Sequence, residues 1–126
     1  MTQSIRTPLG KVRGLGAAKE GPKHFIAQRV SALILIFLVP WFLVELLIEV
    51  RAGFREAMGF VQSPIHAILI VILLAAACFH MRIGMQVVIE DYIGRTSTRI
   101  FLLILNTFVC IAAFAAGAFA TLTIAT

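Results

Sequence analysis

Three long apolar runs constrain this chain more than any other feature of its sequence. The first extends from about Val30 to Ile48, "VSALILIFLVPWFLVELLI", the second from about Ile65 to Ile89, and the third from about Ile100 to Ile124. A helix needs about 20 residues to cross a bilayer core, and each run is near or above that length. In lipid, only helices or closed barrels satisfy every backbone N–H and C=O, and these runs are continuous, without strand alternation. The sequence therefore predicts an all-α membrane protein with three transmembrane helices, over about 26–48, 65–89 and 100–124. Composition agrees. Of 126 residues, 60% are hydrophobic and 13% charged, whereas a soluble domain carries about 25% charged residues. A soluble fold of this size cannot bury so much apolar surface.

In such a chain a net charge of +5 is first a topology signal, not a sign of nucleic-acid binding. Arg6, Lys11, Arg13, Lys19, Lys23 and Arg29 precede the first span, and Arg95 and Arg99 join the second to the third. Only Arg51 and Arg55 lie on the other side. This asymmetry places the N-terminus in the cytoplasm, or in the matrix of an organelle. Residues 1–23 form a basic, Gly-containing arm, and residues 24–126 form the three-helix domain. The arm lacks the short apolar core and small residues of a cleaved signal peptide, and is not Ser-rich like a transit peptide. It suits lipid headgroups, solvent or a soluble partner. Cys78 and Cys110 lie inside apolar runs and outside any CxxC or CxxCH pattern, so both are read as packing residues.

The second run ends in "CFHMRIGMQVVIEDYIG", residues 78–94. On a helix, Ala76, His80, Gly84 and Asp91 share one face, and Arg82 points nearly opposite to His80. Intramembrane ionisable groups are functional candidates by default. A neutral imidazole can ligate a metal, and small residues one turn above and below His80 leave room for a flat macrocycle. A packed histidine bonded to a neighbouring helix fits the same residues. His66 lies about 21 Å from His80 on the same helix, too far to share an iron. His24 precedes the first span, so bis-histidine ligation requires a second subunit. Tyr92 and Asp91 sit where the helix leaves the membrane. Tyr at an interface is commonly an anchor, and its hydroxyl also suits a quinone carbonyl.

Several other groups have both a bland and a sharper reading. Glu45 and Glu49, one turn apart at the far end of the first span, fit interfacial solvation or pairing with Arg51 or Arg55; they also fit a proton route. Arg82 snorkels or pairs with a partner chain. Trp41 packs. Pro40 predicts a kink or loosened turn, and the Ala-rich third run with Gly117 predicts close helix packing.

"HFIAQRVSALIL" (24–35) and "HMRIGMQVVIEDY" (80–92), together with the three spans, resemble the small hydrophobic membrane-anchor subunit of succinate dehydrogenase, respiratory complex II. The likeness is to the cytochrome b556 type of alphaproteobacteria. Its pattern is a histidine followed twelve residues later by a tyrosine, with an aspartate just before the tyrosine. The resemblance implies that His80 is one axial ligand of haem b, with Gly84 beside it, and that a second haem-b anchor subunit supplies the other ligand and completes the helix bundle. It implies that Tyr92 hydrogen-bonds ubiquinone, that Asp91 supports that site, and that Arg29 faces a haem propionate, with Lys23 or His24 nearby. FAD and iron–sulfur clusters belong to flavoprotein and iron–sulfur partner subunits, since this chain has no Rossmann fingerprint and no cysteine cluster. The implied location is the bacterial inner membrane, or the mitochondrial inner membrane for an organellar source. Two alternatives stay open: a fumarate reductase-type anchor using menaquinone, and a cofactor-free scaffold or small transporter.

Overall fold

A computed structural model describes residues 7–9 and 20–126. Most of the basic arm, residues 1–6 and 10–19, therefore lies outside the described residues. Four helices make up the rest of the described chain: α1 (Glu20–Ala52), α2 (Phe54–Gln62), α3 (Pro64–Tyr92) and α4 (Thr96–Ala125). Three of them, over Pro22–Ala52, Pro64–Tyr92 and Thr96–Ala125, are long and apolar enough to cross a membrane. At about 1.5 Å per residue each is over 40 Å long, against a hydrocarbon core of about 30 Å. The helices therefore overrun the apolar runs at both ends. Backbone hydrogen bonding, not hydropathy, decides where each one stops. Pro40 lies inside α1, which continues through it.

The junctions are short and chemically specific. Gly53 alone separates α1 from α2, with φ 128° and ψ 176°, a region essentially reserved for glycine. Ser63, in extended conformation, separates α2 from α3, and Pro64 occupies the first turn of α3, where its missing N–H costs nothing. Residues 93–95 link α3 to α4, so those two helices run antiparallel side by side. The link between the first two spans carries no run long enough to register as a span, yet it is helical. It places Phe60 in the interior and leaves Phe54, Arg55 and Glu56 outside.

α3 is the middle of the bundle. It packs against α1, α2 and α4, while the backbones of α1 and α4 do not approach each other closely among the described residues. A Cβ added at Gly117 of α4 would come within 2.9 Å of Leu74 Cδ1 on α3, so the small residue there permits the close approach expected of it. Burial is shallow elsewhere. Ala67, Ile70, Ala76, Ile83 and Ile89 of α3 and Cys110 of α4 are buried, but no large side chain is fully enclosed, and apolar residues along all three long helices stay exposed. The molecule is an integral membrane protein whose outer surfaces are finished by lipid or by other chains.

Candidate functional site

His80 projects from α3 toward α1. Its Nδ1 lies 3.0 Å from Oγ of Ser31, a residue only 3% exposed. The same Oγ is 3.0 Å from the carbonyl oxygen of Gln28, three residues earlier on α1. A serine hydroxyl has a single hydrogen, and a carbonyl can only accept. Both contacts are hydrogen bonds only when Ser31 donates to Gln28 and accepts from Nδ1–H of His80. In the neutral imidazole, that arrangement leaves Nε2 with a free lone pair. It is the tautomer in which imidazole ligates a metal, fixed by a hydrogen bond on the opposite ring nitrogen.

Space beside this imidazole is one-sided. A Cβ at Gly84, one turn toward Tyr92, would meet nothing within 4 Å. Ala76, one turn the other way, is buried in the chain's own packing. The cleared volume expected on both sides of His80 is therefore found only at Gly84. Arg82 faces away, as its position two residues on requires: its Nε donates to Oγ1 of Thr107 on α4, at 3.2 Å.

The remaining candidates share no hydrogen bond with His80 among the described residues. Arg29 is exposed two residues before Ser31, and its guanidinium carbon stands 5.0 Å from the centroid of the Phe25 ring. Nε2 of His24, nearer the start of α1, is buried without a hydrogen-bond partner among the described residues. Asp91 and Tyr92 close the last turn of α3, with Tyr92 82% exposed. They lie about 16–18 Å along the axis from His80. No cluster of three metal-ligating side chains occurs among the described residues.

Residues 3–119 match the profile of the succinate dehydrogenase/fumarate reductase transmembrane subunit family. The chain belongs to this family. It is 34% identical over 104 residues to a succinate dehydrogenase hydrophobic membrane anchor subunit of Rickettsia bellii, covering 82% of this chain and 83% of that one. A protein of the same description from Rickettsia conorii is 29% identical over 112 residues, 88% of this chain and 89% of the relative. One from Paracoccus denitrificans is 28% identical over 86 residues, 68% and 67% of the two chains. Expectations of an alphaproteobacterial-type anchor and of three spans are met.

Ser31 is the residue of this anchor subunit that sequence reasoning passed over. A lone serine in an apolar helix is usually satisfied by its own backbone, and Ser31 does bond Gln28 that way. Its second role exists only because α1 packs on α3 in this register. Asn106 and Thr107, the polar pair within "FLLILNTFVC", carried a stronger signal. Asn106 Nδ2 donates to the backbone oxygen of Arg82 at 2.9 Å, so the pair forms the counterpart of Arg82 on α4.

Proposed function

We propose that this subunit anchors a succinate dehydrogenase in the bacterial inner membrane, shares a haem b with a second anchor subunit, and forms part of the ubiquinone site. The observation that carries the reading is the Ser31–His80 hydrogen bond. It leaves Nε2 available for iron, next to the opening at Gly84. The residues present fit a haem: an imidazole whose Nδ1 is hydrogen-bonded to Ser31, a small residue beside it, and cationic Arg29 for a propionate, with His24 as a weaker candidate there. Bound haem supplies a one-electron redox centre within the membrane domain.

The chain's own residues do the rest of the work. Tyr92, exposed at the end of α3, offers a hydroxyl to a quinone carbonyl, and Asp91 beside it positions a neighbouring cation or a proton donor. Electrons reach this site from an iron–sulfur partner docked on the Tyr92 end, and FAD and the clusters reside on the two soluble subunits. The excess of Lys and Arg at that end supports a cytoplasmic position for it. In this reading succinate oxidation belongs to the flavoprotein partner.

Purification of the complex from membranes tests the reading. It should bring down a flavoprotein, an iron–sulfur protein and a second anchor, with a b-type spectrum and extractable ubiquinone. Tyr92→Phe should lower ubiquinone reduction while succinate oxidation by an artificial dye persists. A colourless assembly, or equal loss of both activities in the variant, removes the assignment. Extracted menaquinone instead identifies the fumarate reductase-type alternative.

A further inference from the structure

We propose that Arg82 and the groove beneath it, between α3 and α4, form a binding site for one anionic phospholipid, with the phosphate on the guanidinium and an acyl chain along the groove. Arg82 takes no part in the site above, because residues two apart on a helix point about 200° from each other. An arginine has five N–H donors. Nε of Arg82 is used on Thr107, whose own hydroxyl donates to the Leu103 carbonyl at 3.0 Å. The terminal amino groups have no hydrogen-bond partner among the described residues, and they are not enclosed by the chain. A cation held by one side and open on the other needs an acceptor from outside.

Three placements identify that acceptor. The Ser31–His80 bond sets the register of α1 on α3, and because those helices are antiparallel, Arg29 lies level with Arg82. The first apolar run begins one residue after Arg29 and ends at about Ile48, a length of about 28 Å that matches a bilayer core. Arg82 therefore lies level with the start of the first run and about two turns inside the end of the second at Ile89, so its guanidinium meets the phosphates by snorkelling outward. A groove of about 200 Å³ adjoins it, lined by Ala75, Cys78, Phe79, Cys110, Ile111 and Phe114. Those on α3 precede Arg82 and those on α4 follow Thr107, so the groove runs inward from the guanidinium toward the bilayer middle. A cation above an apolar channel of that direction complements a phosphate above an acyl chain, and Arg matches phosphate geometry through paired N–H donors. A second copy of this chain cannot supply the anion. Its six acidic residues are Glu20, Glu45, Glu49, Glu56, Glu90 and Asp91, none of them near the level of Arg82.

The assembled complex, exchanged into nanodiscs of phosphatidylcholine with or without phosphatidylglycerol, tests the proposal by native mass spectrometry of retained lipid. Arg82→Gln should lower retained phosphatidylglycerol at least about tenfold, the equivalent of one charge-assisted contact of about 1.4 kcal/mol or more. Arg82→Lys should keep part of it, and phosphatidylcholine retention should not change. The haem spectrum should persist in both variants, which separates this site from the His80 reading. In a second measurement, p-benzoylphenylalanine at position 114 should photo-cross-link to phospholipid. Unchanged phosphatidylglycerol retention in Arg82→Gln, or cross-linking to a polypeptide in place of lipid, overturns the proposal.

Discussion

α3 carries two histidines in opposite circumstances. His80 has one nitrogen bonded to Ser31 at 3.0 Å and open space beside it at Gly84. His66, about 21 Å away along the same helix, is stacked on Phe60 with centroids 4.3 Å apart and lies 6.1 Å from the ring of Trp41. Its Nδ1 is buried with no hydrogen-bond partner among the described residues. Identical side chains on one apolar helix thus sit in different surroundings. A ligand needs one nitrogen bonded and the other presented to free volume. His66 has one ring face stacked on Phe60 and a nitrogen without a bond among the described residues, and packs in an aromatic cluster with Trp41.

The largest effect should come from breaking that contrast outright. His80→Ala should abolish or strongly deplete the b-type absorbance of the assembled complex, while His66→Ala should leave it in place. Reduced-minus-oxidised spectra of the two purified variants make the comparison, and equal haem in both would end the ligand assignment. Ser31→Ala should act more mildly, because it removes the hydroxyl that orients the proposed ligand and not that ligand itself. Such outer partners change metal affinity about 10–100-fold, so haem should be retained at isolation and lost faster under competition by apomyoglobin. Ser31→Thr, which keeps a hydroxyl, should restore retention. If Ala and Thr variants lose haem alike, the hydroxyl has no part in holding the imidazole.

How far the sequence announced this arrangement differs between the two ends of α3. The spans were legible because hydropathy is a property of each run taken alone, and the opposed directions of His80 and Arg82 followed from helical geometry. Ser31 was not legible as a site residue, since its partner lies 49 positions away and only helix packing brings them together. Nor was the Trp41–Phe60–His66 cluster, which depends on a nine-residue helix folded back at Gly53. Local pattern gives elements and the faces of each; register between elements needs the packed structure. Ala76 shows the same limit, being small for reasons of packing that spacing alone could not separate from room for a ligand.

Gly53 offers a way to disturb the His66 end by itself. Its φ of 128° is one that a side chain rarely tolerates, and forcing a non-glycine residue there costs about 1–3 kcal/mol. Gly53→Ala should lower the thermal midpoint of the complex accordingly while the haem spectrum stays unchanged. A spectral shift in this variant would show that the two ends of α3 are mechanically coupled.

The smallest expected effect gives the comparison its sharpest form, because its sign is opposite to the others. A buried polar atom without a partner costs about 1–3 kcal/mol. His66→Phe keeps a flat ring in the cluster with Phe60 and Trp41 and removes the unbonded Nδ1, so it should stabilise the complex by about 1 kcal/mol, read as a modest rise in thermal midpoint. The same substitution at His80 should remove haem. A fall in stability for His66→Phe would mean that a companion chain supplies the missing hydrogen bond. His66 would then be a contact residue in the assembled enzyme and not a packing element, and the difference between the two histidines would lie in what each one binds.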